Sequence, residues 1–466
     1  MTGVAVRSAA QGPDPSVADL LAAWLPGRRW FPGAGDVRAE PWLAVTFDAT
    51  GAAGGHGADV VLLLVRLTGA GLPGGGVVAQ VPLVLTPPAD AGPGLIAVVR
   101  TATGDVAVHD GGEHPSCWLT LLHAAGVATG DVPDDDLVAG GRPVGGEQSN
   151  TSVLLPGVPS PSGAGAILKI LRTVGPGPHP DVVVPQALTR AGWDGVPRFL
   201  GALQVSTPPL EPAVPGAATV DLGAAGETAL AVVSERVPDA RDGFELACEH
   251  AAHGESFAHL AGGLGRVVAE LHATLRRTMP PGPRVDPAAF VAGLRRRAAT
   301  AVAEAPALAD RLPRITALLD DLRRHLPRAH LQTIHGDLHL GQALHGATGW
   351  KLLDFEGEPQ RPVAERAVPD LPLRDVAGMV RSFDYAAAVG GAPEPAAWRD
   401  EAAHAFVAAY RDGGGSPETD PPTTDLVLRA LVLDKALYEV VYETRQRPAW
   451  VHIPLAAVDR VLDGGA

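Results

Sequence analysis

The stretch Thr333-Ile-His-Gly-Asp-Leu-His-Leu-Gly-Gln342, followed by Trp350-Lys-Leu-Leu-Asp-Phe-Glu-Gly-Glu-Pro359, is the densest polar constellation in the chain. The first segment sets His335, Asp337 and Gln342 among apolar residues, and the second reads as a short strand ending in Asp354. A carboxylate, an amide five residues on and a second carboxylate twelve beyond that suit phosphoryl transfer. One carboxylate can orient and deprotonate a hydroxyl while the amide oxygen and the other carboxylate hold Mg²⁺ against nucleotide phosphates. His335, His339 and His345 have H-x3-H and H-x5-H spacing, but no glutamate falls between them in the H-E-x-x-H manner, so a zinc hydrolase is the weaker reading. An N-cap or turn would account for Asp337 or Asp354 alone but not for both together. His335 reads either as a structural histidine that fixes the loop or as a substrate contact. His339 and His345 read as surface or packing residues.

Upstream, an amphipathic segment (Val17 to Leu25) precedes apolar, β-branched runs at Val60–Leu67, Val77–Leu85 and Leu95–Val99, bounded by Gly, Pro or charged residues. These predict an antiparallel sheet that serves as a cap or scaffold. A hairpin-like pair follows, Glu147–Leu155 and Ala166–Arg172, in which alternation puts Lys169 on the opposite face from Leu168 and Ile170. A helical segment is expected around Asp181–Arg190, and a strand from Leu230 ends at Pro238. Beyond it the period changes: Phe257, Leu260, Leu264, Val267, Val268, Leu271 and Leu275 form an apolar helical stripe. Similar stripes run through Phe290–Leu308, Ile315–Leu326, Trp398–Tyr410 and Leu426–Tyr442. The expected division is a β-rich cap (1–100), an ATP-handling subdomain (101–238) and an α-helical lobe (239–466).

A formal charge of −15 argues against a protein that coats nucleic acid or anionic membranes. Cys117 and Cys248 cannot staple a secreted fold and fit no C-x-x-C spacing. With no signal-peptide pattern in the first thirty residues and no 18-residue apolar run, a soluble cytoplasmic protein is expected. Of 37 basic residues only Lys169, Lys351 and Lys435 are lysine. Arginine supplies positive charge everywhere else, so each lysine merits a reason. Arginine cannot copy a compact ammonium that meets a phosphate as a point charge.

His335-Gly-Asp337-x4-Gln342 resembles the catalytic loop of kinases of the aminoglycoside-phosphotransferase type, in which D-x4-N is commoner, and Asp354 matches their metal-binding aspartate. Within that group the chain is similar to bacterial maltokinases, which phosphorylate maltose at C1 with ATP. The similarity runs through Asp354-Phe-Glu-Gly-Glu-Pro359 and Pro372-Leu-Arg-Asp-Val-Ala-Gly-Met-Val-Arg-Ser-Phe-Asp-Tyr385. It continues in Glu147-Gln-Ser-Asn-Thr-Ser152, Ala166-Ile-Leu-Lys169, Arg28-Arg-Trp-Phe31 and Lys435-Ala-Leu-Tyr-Glu-Val-Val-Tyr-Glu-Thr-Arg-Gln-Arg-Pro-Ala-Trp450, covering nearly the whole chain.

The resemblance implies an α+β, two-lobed protein-kinase-like fold with ATP between the lobes. It makes Asp337 the catalytic base, Gln342 and Asp354 the Mg²⁺ ligands, and Lys169 the contact to the nucleotide phosphates. Ser149, Asn150 and Thr151 fall where a phosphate-covering loop is expected, or are plain turn formers. Glu235 and Val237 belong to a hinge whose backbone holds adenine. One departure stands out: His179-Pro-Asp181-Val-Val183 has valine where the family carries a glutamate expected to face the lysine, which leaves Asp181 as a partner for Lys169. Tyr438, Glu439, Tyr442, Arg445 and Trp450 are candidate sugar contacts, because aromatic faces and polar side chains together suit a pyranose; core packing is the alternative for the tyrosines. Arg374 and Asp375 are expected to buttress the catalytic loop through an ion pair rather than touch substrate, and Trp24, Trp30 and Trp118 to pack. The implied product feeds glycogen or α-glucan assembly, with a monomeric enzyme and trehalose synthase as a partner. Glucosamine or an aminoglycoside is the alternative acceptor, and a binding-only pseudokinase is disfavoured because Asp337, Asp354 and Lys169 are all present.

Overall fold

The computed structural model describes all residues except 1–2, 33–36, 49–57, 70–71, 73–75, 129, 146–148, 209–225, 358–367, 416–419 and 466. Of the motif residues quoted above, Glu147, Gln148, Glu358 and Pro359 lie outside the described residues. The chain forms two compact units. One is chiefly Met1–Gln186 with Pro197–Arg236, the other chiefly Ala187–Val196, Val237–Pro359 and Ala364–Ala466.

In the first unit, strands Val4–Ser8, Arg38–Phe47, Asp59–Thr68, Gly76–Thr86, Gly104–Asp110 and Leu95–Thr101 lie in that order in an antiparallel sheet. The strand Asp59–Thr68 is apolar almost throughout because both its faces are covered. Val61, Leu63 and Val65 meet Val17 and Leu21 of the helix Pro15–Trp24, while Leu62 and Leu64 join a second core on the other face. That second core takes Trp118, Leu121 and Leu122 from the helix Pro115–Ala124. It extends under a second antiparallel sheet, ordered Phe199–Thr207, Gly226–Glu235, Ala166–Ile170, Thr151–Leu155, Arg142–Pro143, through Val153, Leu168 and Val232. The buried Arg172 ties the two sheets together: it reaches Asp110 at 3.3 Å, donates from Nε to Thr151 Oγ1 at 2.9 Å and lies 4.3 Å from the Trp30 ring. Trp118 and Trp30 therefore pack, as expected.

The second unit is mostly helical. The expected stripes appear as helices Ala258–Thr278, Pro287–Glu304, Leu312–His325, Pro395–Asp412 and Pro421–Gln446. Asp420 caps the last of these by accepting from Thr423 N, with Pro421 in its first turn. The helix Leu373–Val389, not among the expected stripes, is buried on nearly every side and carries Asp375, Arg381 and Asp384 into the interior. A small antiparallel sheet of Arg241–Asp242, Ala343–Gly346 and Gly349–Leu352 flanks the stretch around Asp337. An antiparallel N-terminal region followed by a helical C-terminal part is the kinase-like α+β architecture that the resemblance implies. Among the described residues no helix is long and apolar enough to cross a membrane.

Candidate active site

The loop around Asp337 is held from beneath by one carboxylate. Asp375, from the first turn of the helix Leu373–Val389, accepts hydrogen bonds from His335 N at 2.8 Å and Gly336 N at 2.9 Å. It also accepts one from His272 Nε2 at 2.9 Å. Burial pushes the Asp375 carboxyl up, but His272 and the other donors outweigh it and leave it below the ordinary carboxylate range. Asp375 thus buttresses the loop as expected, although its partners are backbone amides and His272. Arg374 beside it turns to Asp370 and Asp434.

Two glycines let the loop sit where it does. Gly336 has φ +86°, a left-handed conformation that a side chain resists. A Cβ on Gly378 would lie 2.4 Å from Leu338 O, so the supporting helix can approach the loop only because it carries glycine there. His335 is 1 % exposed, and its Nε2 donates to Leu353 O at 2.7 Å, locking the Asp337 loop to the residue before Asp354. This corrects its expected substrate contact: a ring so buried and so engaged shapes the loop.

Gln342 and Asp354 meet directly, Gln342 Nε2 donating to Asp354 Oδ2 at 3.1 Å. Asp354 has φ +62°, one of two non-glycine residues with positive φ among those described. Such backbone strain persists where the surroundings over-determine a residue and concentrates at functional sites. A carboxylate and an amide brought together supply hard oxygen donors, the set that suits Mg²⁺.

Asp337 itself meets Lys435, whose Nζ lies 3.1 Å from Oδ1 with the two side chains 18 % and 16 % exposed. Burial raises the Asp337 carboxyl, but the Lys435 ammonium and the nearby His339 outweigh it and hold it below the usual range. Burial pushes the His339 ring the other way, toward the neutral form.

In the first unit, Lys169 Nζ meets Asp181 Oδ2 at 2.5 Å, so Asp181 takes the place that Val183 leaves empty. Asn150 Oδ1 accepts from Arg172 N at 3.0 Å, and with Thr151 on Arg172 Nε both residues anchor the loop. Ser149 beside them is exposed. Glu235 ends the strand Gly226–Glu235, its N–H donating to Arg198 O and its carboxylate accepting from Ser162 N at 2.6 Å. Val237 is half-buried in the second unit.

The candidate sugar contacts do not form one group. Tyr438 lies under Lys435, its ring centroid 5.1 Å from Nζ. Glu439 pairs with the buried Arg381 at 2.7 Å, yet burial still holds its carboxyl above the usual range. Tyr442 and Trp450 both lie against Arg447, at 5.3 Å and 4.5 Å. Arg445 points elsewhere, 2.8 Å from Glu304, and is more than half exposed.

Residues 164–422 match the phosphotransferase enzyme family, more than half of the chain. The chain belongs to the phosphotransferase enzyme family. Residues 24–113 of this phosphotransferase match the maltokinase N-terminal cap domain. The phosphotransferase is 30% identical over 348 residues to the glucosamine kinase of Mycolicibacterium smegmatis, covering 70% of this chain and 80% of that one. It is 30% identical over 399 residues to the glucosamine kinase of Streptacidiphilus jiangxiensis, covering 78% and 85%. Among solved structures it is similar to a glucosamine kinase (crystal form B), with TM-score 0.65 and 25% identity over 97% of this chain and 100% of that one. It is also similar to a glucosamine kinase in complex with glucosamine, ADP and inorganic phosphate, with TM-score 0.58 and 26% identity over 96% and 99%. The phosphotransferase is therefore an enzyme, a kinase of that family.

Three residues of its loop site carry no role in the sequence reading. His272 sits in an apolar helical stripe, where a histidine reads as ordinary packing. Arg381 lies within a quoted motif but gives no sign of its partner. Lys435 had a signal, its rarity as a lysine, though nothing in the sequence says what it touches.

Proposed function

We propose that this kinase transfers the γ-phosphoryl group of ATP to the C1 hydroxyl of maltose, giving maltose 1-phosphate and ADP. The C1 oxygen forms a bond to the γ-phosphorus. The bond from that phosphorus to the bridging oxygen breaks, leaving its electron pair on ADP, and the hydroxyl proton passes to Asp337. Catalysis of this kind is mainly positioning and charge stabilisation, so a carboxyl held below its usual range is adequate as the base. Gln342 and Asp354 would hold Mg²⁺, which when bound neutralises charge on the phosphates. Lys169, oriented by Asp181, would meet the nucleotide phosphates, with Ser149 at the covering loop and the Glu235–Val237 backbone against adenine. Tyr438, Tyr442 and Trp450 remain the aromatic candidates for the sugar.

One observation favours maltose as the acceptor. The carboxylates on the last long helix are engaged by cations: Glu439 by Arg381, and Glu443 by Arg447 at 2.7 Å. The charge beside Asp337 is the Lys435 ammonium. An amino sugar needs an anionic partner and is repelled by a neighbouring cation, whereas a neutral disaccharide meets neither problem. The match of residues 24–113 to the maltokinase cap supports the same reading. Glucosamine is the second reading, favoured by the names of the relatives. The test is phosphoryl transfer from ATP to maltose, glucosamine, glucose and trehalose in parallel. Turnover of maltose with little on glucosamine is expected, and transfer to glucosamine alone overturns the acceptor assignment. The product would enter α-glucan or glycogen assembly in the cytoplasm, and trehalose synthase as a supplier of maltose is a partner that co-purification would test.

A further inference from the structure

We propose that Lys435 is the positioning residue of the phosphoryl-transfer step, holding the Asp337 carboxylate by one oxygen so that the other is presented to the acceptor hydroxyl. The inference rests on the reading of Asp337 as the base.

Lys435 lies on the helix Pro421–Gln446, 98 residues from Asp337 in sequence. The rotation of that helix is fixed by ion pairs on either side of the lysine. Asp434, one residue before it, is gripped by Arg297 and Arg374 at 2.8 and 2.9 Å. Glu439, one turn after it, is held by Arg381 at 2.7 Å. With the helix locked at both flanks, the Lys435 side chain crosses the Tyr438 ring and reaches Asp337 Oδ1 at 3.1 Å. The other charged or titratable groups about this carboxylate are His335 and His339 of its own loop, while Asp375 is saturated beneath the loop by three donors.

The choice of residue fits the task. A guanidinium binds a carboxylate as a fork and engages both oxygens, which would block the base; an ammonium makes a point contact and leaves an oxygen for the proton. In a chain that uses arginine for nearly every positive charge, a lysine here has that physical reason. Lys435 also supplies the positive charge that keeps the base ionised before the acceptor arrives.

The experiment uses the full chain, with whichever acceptor it phosphorylates. Lys435→Met, Lys435→Arg, Asp337→Asn and Lys435→Met/Asp337→Asn are compared in kcat, in KM for ATP and in the pH dependence of kcat. Lys435→Met should lower kcat by about 10²-fold, the scale of a misplaced catalytic group. KM for ATP should hardly change, and the acid limb should move to higher pH because the carboxyl loses its cation. Lys435→Arg should fail to restore kcat. In the Asp337→Asn background the Lys435 change should cost nothing further, a coupling that independent residues do not show. Should Lys435→Met misfold, Lys435→Gln replaces it, with thermal unfolding as the check. A silent Lys435→Met beside a crippled Asp337→Asn overturns this proposal alone. Full activity in Lys435→Arg, or additive losses in the double variant, does the same. An active Asp337→Asn overturns the reading of the base as well.

Discussion

Two of the three lysines sit in lysine–aspartate pairs, one in each unit, and the pairs run in opposite senses. In the first unit Lys169 lies on the strand Ala166–Ile170 and Asp181 on the helix Pro180–Arg190, at 2.5 Å, with side chains 19 % and 7 % exposed. In the second, Asp337 lies on a loop and Lys435 on a distant helix, at 3.1 Å and comparably exposed. On the proposed function the lysine is the working group in the first pair and the aspartate merely aims it, whereas in the second the aspartate works and the lysine aims. The third lysine, Lys351, donates to the backbone carbonyl of Asp194. The same two residue types thus serve different ends according to which one faces the substrate.

The strongest way to break this comparison is Asp337→Asn. A lost general base typically costs about 10²–10⁴-fold, and the acidity of an anomeric hydroxyl argues for the lower half. Steady-state kinetics should show that fall in kcat with ATP affinity, measured by calorimetry, unchanged. A large loss of ATP affinity would make Asp337 a metal ligand instead. Asp354→Asn should rank next, losing on the order of 10²-fold or more in turnover because charge stabilisation of the phosphates weakens; retention of more than about a tenth of the rate would remove Asp354 from the metal site.

The first pair should respond in the other parameter. Lys169→Arg keeps the charge but replaces a point donor by a planar fork, so ATP binding should weaken by roughly tenfold with the fold intact. Asp181→Asn should weaken ATP binding in the same direction but by less, since it only aims the lysine. If Asp181→Asn instead lowered kcat alone, the two pairs would not differ in the way described.

The smallest effect concerns stability. Burial raises the Asp434 carboxyl, but Arg297 and Arg374 more than compensate and hold it at about 2. A carboxyl depressed in the folded state contributes stability that is complete above its unfolded pKa and lost as pH falls toward its folded one. Denaturant melts should therefore show this contribution intact at neutral pH and declining from about pH 4 toward pH 2. Arg374→Met should flatten that decline, and an unchanged slope would sever Asp434 from acid stability.

Much of this site was legible in the sequence for a simple reason. Asp337, Gln342 and Asp354 fall within 18 consecutive residues, and a loop followed by a short hairpin can bring them together by local geometry alone. The apolar stripes gave five helices because each has one solvent face. The helix Leu373–Val389 carries a comparable stripe in Leu373, Val376, Val380, Phe383 and Ala387, but nothing in the sequence says that its charged residues Asp375, Arg381 and Asp384 are buried as well. The strand Phe199–Thr207 escaped the sequence reading: at the edge of its sheet it alternates Leu203 and Val205 with exposed Gln204 and Ser206, a short polar pattern bordered by turn residues.

By itself the sequence determined the kinase-like class and marked Asp337, Gln342 and Asp354 as the candidate site, because those depend on residues close in the chain and on hydrophobic period. Only the tertiary structure decided what each charge does. It joined Lys435 to Asp337 across 98 residues and Arg381 to Glu439 across 58. It turned Arg445 to Glu304, buried His335 beneath the loop, and set His272 against Asp375. The physical reason is that a side chain's partner is fixed by the rotation and register of packed helices. That rotation is the joint outcome of every buried contact along them, and no single stretch of sequence contains it.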